Sequence, residues 1–257
     1  MSLVQENPDK IPDNDLLSIG KLETKKSKIK QNQLMKADII PRFPSSVIFN
    51  GSSGSGKSTL LANLLSKKQF YKGYFKKKNI YLICPTGNTD DMFQHIDLDD
   101  GNICVDIKKE ASPLLRKIMA KQKETIDSKG VDKAEKVLII YEDIQSNTKF
   151  MRSSEFLKTF VMNRHYNLMV FLCGQSFTLT PRACRLQANN IFIFAPTNNE
   201  REILVENYSP PKMHKKDFEA MIDHATKEPY CFMHVNKRVG FSKRYRKNLG
   251  RIINLSE

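Results

Sequence analysis

One stretch of the sequence has the residue types and spacing of a phosphate-binding loop. It fits the pattern GxxxxGK[ST] at every fixed position and reads Gly51-Ser52-Ser53-Gly54-Ser55-Gly56-Lys57-Ser58, followed by Thr59. Glycines allow the backbone to curl until successive N–H groups point at phosphate oxygens. Lys57 can then reach the β- and γ-phosphates, while the Ser58 hydroxyl can ligate Mg²⁺. The pattern predicts a nucleoside triphosphate site.

Two acidic residues stand at the end of an apolar run. Residues 137–141 are continuously apolar, as buried strands of parallel sheets are, and Glu142 and Asp143 follow directly. At the carboxyl end of such a strand both acids can approach the crevice where ligands bind. We expect Glu142 to hold Mg²⁺, directly or through water, and Asp143 to position the attacking water. The order Glu-Asp reverses the usual Asp-Glu order, so the two roles are open to exchange.

A glutamine and three arginines complete the candidate chemistry. Residues 168–173 form another apolar run, and Gln175 lies just beyond it. There an amide can touch both the γ-phosphate and water without titrating. In ring ATPases, an arginine of one subunit stabilises the γ-phosphate charge in the next. Arg164 is the first candidate for this role, ahead of Arg185 and Arg182.

Strands that alternate with helical segments must position these groups. The predicted strands cover residues 47–49, 79–84, 102–105, 136–141, 168–173 and 191–194. Helical spacing of apolar residues predicts helices at 58–66, 113–126, 155–165, 199–207 and 214–225. Residues 230–235 and 238–242 are predicted to pair around Asn236-Lys237. This alternation is typical of an α/β domain with a mostly parallel central sheet flanked by helices.

The distance along the chain between the loop and the acids narrows the fold class. Lys57 and Glu142 are 85 residues apart, which leaves room for two further strands. We therefore expect a RecA-like P-loop NTPase of the additional-strand class, with one strand inserted between the loop strand and the acidic strand. The stretch Asn236-Lys237-Arg238-Val239 resembles the start of the guanine-binding motif of small GTPases, but it lacks the aspartate that hydrogen-bonds to guanine. We therefore expect ATP rather than GTP as the nucleotide.

The charge of the chain is strongly positive and unevenly distributed. Its 257 residues carry a formal net charge of +14 at pH 7. Residues 21–36, 67–78 and 237–251 carry net charges of +5, +6 and +7, so the rest of the chain is slightly acidic. Clustered bases suggest a polyanionic partner, because each neutralised phosphate releases counterions. Solvated surface is the alternative interpretation of each run.

Composition also bears on the compartment. The longest apolar runs are far shorter than the ~20 residues that a membrane span needs. The first residues have neither a basic nor an apolar signal region, so we expect no secretion. Five cysteines without CxxC spacing favour a reducing compartment over a disulfide framework.

The combined motifs resemble the poxvirus-type DNA-packaging ATPases of the FtsK–HerA superfamily, which occur in large DNA viruses, virophages and related elements. Three features carry the resemblance: the loop at 51–59, the Glu142-Asp143 pair, and the stretch 160–177 with Arg164-His165 and Gln175-Ser176. It continues through 181–194 and into the tail at 229–235 and 245–248, and so covers about residues 42–253.

The resemblance implies an ATP-driven homo-oligomeric ring, a pentamer or a hexamer, that threads double-stranded viral DNA into a preformed capsid. ATP and Mg²⁺ are the implied cofactors, and the capsid or its portal vertex is the implied docking partner. The chain would work in the infected host cell, in a cytoplasmic virus factory or the nucleus, and enter the virion in some cases. We expect a polar arm at 1–40 and a motor domain at 41–257. The bases of its C-terminal segment are candidates for DNA contact: Lys243, Arg244, Arg246 and Lys247.

Two other functions share parts of this chemistry. A cellular-type DNA translocase or helicase of the same superfamily would use the same residues without a capsid. A small-molecule phosphotransferase, such as a nucleotide kinase, also has a P-loop and arginines. The acid pair followed by a glutamine-tipped strand argues against the kinase.

Overall fold

The apolar runs of this chain become the strands of one mixed sheet. The computed structural model describes residues 30–87, 93 and 95–253. Its strands are β1 Ser45–Asn50, β2 Ile80–Ile83, β3 Ile103–Cys104, β4 Val137–Glu142, β5 Leu168–Gly174, β6 Asn190–Phe194, β7 Phe232–Asn236, β8 Tyr245–Lys247 and β9 Arg251–Ile252.

Helices connect these strands. They are α1 Gln33–Lys36, α2 Lys57–Ser66, α3 Ser112–Lys129, α4 Thr148–Met151, α5 Ser154–Val161, α6 Arg182–Gln187, α7 Asn198–Tyr208, α8 Lys215–Thr226 and α9 Phe241–Arg244. Short 3-10 turns precede β2 and β3 and follow β4, and a π-helical turn, Ile107–Ala111, leads into α3.

The strand order confirms the predicted fold class. Across the sheet the strands run β3-β2-β4-β5-β1-β6-β7-β8-β9. All pairings from β3 to β6 are parallel, and β7, β8 and β9 pair antiparallel. β5 therefore lies between the loop strand β1 and the acidic strand β4, as the spacing of Lys57 and Glu142 predicts for the additional-strand class.

The core fills both faces of the sheet. On one face, Leu61 and Leu64 of α2 pack with Phe49 and Phe171 of the strands. On the other face, the apolar sides of α3, α5 and α8 pack against alternate residues of the same strands, for example Ile48 and Val170. Because consecutive strand residues point to opposite faces, central strands covered on both sides are apolar at nearly every position.

The C-terminal pairing differs from the sequence prediction. We expected residues 238–242 to pair with 230–235, but β7 pairs instead with β8, Tyr245–Lys247. Residues 241–244 form the short helix α9. The reason is burial: Tyr245 is 2% exposed, and its hydroxyl donates to the Tyr208 carbonyl oxygen at 2.7 Å. In the segment 238–242, by contrast, the aromatic residue Phe241 stays 43% exposed.

Residues 30–40, which we assigned to the N-terminal arm, contact the sheet domain. Met35 of α1 and Ile40 are fully buried in the same cluster as Phe49. Asn32 donates to the Phe70 carbonyl oxygen at 2.6 Å. The rest of the arm, residues 1–29, lies outside the described residues, and the division at residue 40 stays a prediction.

Candidate active site

The phosphate loop connects β1 to α2 at the carboxyl edge of the parallel strands. Gly54 and Gly56 have φ angles of +74° and +101°, in the left-handed region that favours glycine. A Cβ atom on Gly51 would lie 2.6 Å from the Phe194 Cβ and 2.7 Å from the Ser55 Oγ. Gly51 therefore lets the loop pass close to Phe194 and Ser55, and a glycine loop of this kind can present its backbone N–H groups to a phosphate.

Lys57 begins α2 and turns back over the loop. Its Nζ donates to the carbonyl oxygens of Gly51 and Ser52, each at 2.8 Å, and the residue is only 6% exposed. An ammonium group has three donors, so two are used within the loop. The third donor is left for a phosphate oxygen, and the role of Lys57 at the phosphates stays a prediction.

Ser58 and Glu142 meet at the ends of α2 and β4. The Ser58 hydroxyl donates to the Glu142 Oε1 at 2.9 Å. Burial raises the pKa of the Glu142 carboxyl above its usual range, and the Cys173 thiol and the Ser58 hydroxyl oppose this rise. The other oxygen, Oε2, is buried and accepts no hydrogen bond from an N–H or O–H group of the described residues.

This pair fits a bound Mg²⁺ ion. Proteins hold Mg²⁺ through one or two carboxylates together with phosphate oxygens and water. Glu142 and Ser58 supply oxygen donors beside the phosphate loop, and the Glu142 Oε2 is a buried acceptor without such a donor. A cation there would stabilise the charged carboxylate against the cost of burial.

Asp143 and Gln175 meet at the ends of β4 and β5. The Gln175 Nε2 donates to the Asp143 Oδ1 at 3.1 Å, and both side chains are exposed to solvent. Asp143 has a φ angle of +50°, which turns its side chain away from the buried Glu142 position. The two adjacent acids therefore occupy different environments, one buried beside Ser58 and one exposed beside Gln175.

The sequence prediction missed Gln145, which fixes the tip of β5. Its Oε1 accepts from the backbone N–H groups of Gln175 and Ser176, at 2.7 and 3.0 Å. Its Nε2 donates to the Ser176 carbonyl oxygen at 2.6 Å. A Cβ on Gly174 would lie 2.6 Å from that same nitrogen. Only one pattern in the sequence could have indicated this role for Gln145. Its amide lies two residues beyond the acid pair, and a glycine, Gly174, ends the next strand along the chain.

Glu200 is a second residue that the sequence analysis missed. This buried carboxylate of α7 accepts from the Phe177 N–H at 2.9 Å and from the Asn50 Nδ2 at 3.3 Å. It therefore joins the end of the loop strand to the segment that follows Gln175. The spacing Thr197-x-x-Glu200 is a capping box, which indicated only a helix start.

The three candidate arginines have different places. Arg164 precedes the amino end of β5, opposite the edge that carries the phosphate loop, and borders a hollow of about 670 Å³ with Arg42 and Lys237. Arg185 contacts its own chain, because its Nη1 donates to the Phe177 carbonyl oxygen at 3.4 Å. Arg182 is exposed at the start of α6. Arg164 can therefore reach a phosphate loop only in another copy of the chain.

The candidate DNA-binding bases are not equally available. Lys243 is exposed, and the Arg244 guanidinium lies 3.9 Å from the centre of the Phe241 ring. Lys247 forms an ion pair with Glu228 at 3.4 Å. Arg246 is 9% exposed, and its Nη1 donates to the Gly250 carbonyl oxygen at 2.9 Å. Arg246 is therefore the least available of the four predicted bases, and a DNA contact by any of them stays a prediction.

The basic run at 67–78 is partly neutralised. Lys76 and Lys78 both pair with Glu135, the latter at 3.5 Å, and Lys77 pairs with Asp97 at 3.7 Å. Hydrogen bonds from Lys76 and Asn79 lower the pKa of the Glu135 carboxyl to about 2.

Within the described residues, no helix has the length and apolar character required to span a bilayer.

Comparison with known proteins places this site in a family. Residues 27–236 match the family described as "Poxvirus A32 protein". No curated relative matches the chain.

Solved structures resemble the fold. The DNA-packaging ATPase B204 from Sulfolobus turreted icosahedral virus is 16% identical, with a TM-score of 0.53 over 79% of this chain and 95% of that one. The genome packaging NTPase B204 from Sulfolobus turreted icosahedral virus 2, in complex with ATP-gammaS, is 15% identical with the same TM-score and coverage. EssC (ATPases 2 and 3) from Geobacillus thermodenitrificans is 11% identical, with a TM-score of 0.54 over 75% of this chain and 37% of that one. At these identities the likeness concerns the fold.

Proposed function

The chain belongs to the poxvirus A32 protein family, and from that premise we propose that it is an ATPase that drives double-stranded viral DNA into a preformed capsid. The similarity in fold to B204, a DNA-packaging ATPase, supports the proposal. The proposed division of the chain is an arm at 1–40 and a motor domain at 41–257.

The observation that carries the proposal is the meeting of three segments at one edge of the sheet. The Ser58 hydroxyl of the loop helix contacts Glu142 of β4, and Gln175 beyond β5 contacts Asp143. Lys57 stands at the start of the same helix. A nucleotide kinase also needs a P-loop. The pair of Asp143 and Gln175, however, places an exposed carboxylate beside an amide, and this arrangement suits the activation of water.

In the proposed mechanism each residue has one task. The loop N–H groups and Lys57 bind the phosphates of ATP and withdraw charge from the γ-phosphate. Ser58 and Glu142 would hold Mg²⁺, and the ion would supply positive charge beside the β- and γ-phosphates. Asp143 accepts a proton from the attacking water, and Gln175 orients that water. Gln145 and Glu200 position the segment that carries Gln175.

We also propose that the working form is a ring, a pentamer or a hexamer. Arg164 lies at the sheet edge opposite its own phosphate loop, so a role at the γ-phosphate requires a neighbouring copy. Double-stranded DNA and the capsid or its portal vertex are the proposed partners. The proposed site of action is the infected cell, in a cytoplasmic factory or the nucleus, with the virion as a further location.

The proposal is tested by ATP hydrolysis on an oligomer of measured mass. We expect double-stranded DNA to stimulate turnover, and we expect Lys57→Ala to abolish it while circular dichroism shows an intact fold. Lys68→Ala, at an exposed lysine two positions beyond the end of the same helix, is the matched control. A turnover rate that is indifferent to double-stranded DNA contradicts the packaging function, and undiminished hydrolysis by Lys57→Ala contradicts the site.

A further inference from the structure

An apolar hollow of about 560 Å³ lies directly beside the phosphate loop. It is bordered by Gly56, where the loop meets α2, and by ten further residues, among them the apolar Leu60, Phe194, Tyr230, Phe232 and Leu249 and the polar Thr59 and Lys67. Its size falls within the range of small-molecule sites. Because it shares Gly56 and Thr59 with the loop, a ligand whose phosphates occupy the loop can extend into it.

Tyr230 is an unusual residue at this place. It is 71% exposed, although it is aromatic, and its φ angle of +64° is rare for a residue with a side chain. Such outliers persist where surrounding contacts fix them, and they cluster at ligand sites. Its ring lies against the loop, since a Cβ on Gly56 would be 3.3 Å from the Tyr230 Cδ1.

Neighbouring contacts hold the Tyr230 segment in position. The Asn248 Oδ1 accepts from the Phe232 N–H at 3.1 Å, and the Asn248 Nδ2 donates to the Cys231 Sγ at 3.5 Å. The Cys231 N–H donates to the Glu228 carbonyl oxygen at 3.1 Å. The backbone that carries the ring is thus held in place, so a stacking ligand has to order only the side chain.

We propose that this hollow is the nucleobase subsite and that Tyr230 stacks on the base of the bound nucleotide. The inference rests on the proposed nucleotide site and adds a binding residue and a mode of recognition to it. Aromatic stacking accepts every base, because every base has a π-face. Both side-chain atoms of Asn248 are engaged, and the Asn63 amide donates to the Thr59 carbonyl oxygen. The base is therefore held mainly by stacking and apolar contact.

Calorimetric titration with two probes tests this assignment. ATP carries a base, and inorganic tripolyphosphate carries only the phosphates. We expect Tyr230→Ala to raise the dissociation constant for ATP about tenfold or more and to leave that for tripolyphosphate unchanged, because stacking is lost and the loop is not. Tyr230→Phe keeps the ring and should bind ATP as the unchanged chain does. Val161→Ala, an exposed apolar residue on α5, is the control.

The outcomes separate the two proposals. An equal rise for ATP and tripolyphosphate in Tyr230→Ala would assign Tyr230 to support of the loop, and unchanged ATP affinity would remove it from the site; either result overturns the subsite. ATP binding that depends on Tyr230, in a chain whose hydrolysis ignores DNA, would sustain the subsite and overturn the packaging function. No ATP binding by the unchanged chain would overturn both.

Discussion

Ser58 and Glu142 are 84 residues apart in the chain, and the Ser58 hydroxyl donates to the Glu142 Oε1 over 2.9 Å. The contact exists because β1 and β4, separated only by β5, end at the same edge of the sheet. It places a hydroxyl and a buried carboxylate beside the phosphate loop, while Asp143 lies exposed next to Gln175. The two acids are therefore expected to do different work.

Separate substitutions of the two acids test this division. We expect Glu142→Gln to raise the Mg²⁺ concentration for half-maximal hydrolysis about 10- to 100-fold, because an oxygen donor to the ion is weakened. We expect Asp143→Asn to lower kcat about 100-fold or more while ATP still binds, because the proton acceptor is lost. Steady-state hydrolysis at varied Mg²⁺ measures both. The reverse pattern would exchange the two roles, with Asp143 at the ion and Glu142 at the attacking water.

Gln145 is expected to act through Gln175. Gln145→Ala leaves the N–H groups of Gln175 and Ser176 without their acceptor, so we expect the free energy of unfolding to fall by about 2 kcal/mol. We also expect kcat to fall about tenfold. Gly174→Ala should produce the same loss, since its Cβ would lie 2.6 Å from the Gln145 Nε2.

Urea unfolding and ATPase kinetics measure these two effects. The double variant should be little worse than either single one, because both act on one contact. Leu179→Ala, at an exposed site in the same segment, is the control. Additive losses in the double variant would show that the two residues act independently.

Complementation between subunits tests Arg164. In a ring, a subunit with Arg164→Ala keeps its phosphate loop, and a subunit with Lys57→Ala keeps its arginine. Each variant alone should be inactive or nearly so, with losses of about 10³-fold or more for the arginine. Mixing the two should restore part of the hydrolysis, because some interfaces then contain both groups. Mixtures no more active than the separate variants would count against a role in trans.

The C-terminal bases should divide into two groups. Reversing the charge at Lys243 and Arg244 should reduce DNA stimulation, and the salt dependence of DNA binding, more than it reduces basal hydrolysis. Arg246→Ala should instead lower stability, because Arg246 is buried and bonded to Gly250. Each reversal is also made singly, and Lys216→Glu, at an exposed site on α8, matches the change in net charge of each single variant. Equal loss of basal and DNA-stimulated rates at Lys243 and Arg244 would indicate misfolding.

Acid pH should destabilise the fold through His234. Burial lowers the pKa of this imidazole to about 3, from an ordinary value of 6.5. The unfolded chain takes up a proton below pH 6.5 while the folded chain does not, so stability is lost as pH falls from 6.5 towards 3. Between pH 7.5 and pH 5 the loss from this residue should be about 2 kcal/mol.

Urea unfolding of the unchanged chain and of His234→Gln at several pH values isolates that contribution. Glutamine can still hydrogen-bond to the Asn190 Oδ1, which lies 2.9 Å from the His234 Nε2. The difference in stability between the two chains should shrink by about 2 kcal/mol from pH 7.5 to pH 5. A difference that does not change with pH would show that His234 is not held neutral.

Local sequence determined the parts of this protein that depend on neighbours in the chain. The phosphate loop needs glycines at fixed places, and the apolar runs that become β1, β4 and β5 are buried on both faces whatever their partners. From the spacing of Lys57 and Glu142 it was also possible to predict the inserted strand. These features follow from backbone sterics and burial, which act over a few residues.

Only the tertiary structure decided which polar groups meet. Sequence placed Glu142 and Asp143 side by side, but the left-handed φ angle of Asp143 sends one acid to Ser58 and the other to Gln175. The positions of three further residues, Gln145, Glu200 and Tyr230, depend on contacts with distant segments of the chain. Tyr230, for example, contacts Gly56, which is 174 positions away. Arg246 looked available for DNA until the pairing of β7 with β8 buried it. Such contacts depend on strand order and register, which no local pattern specifies.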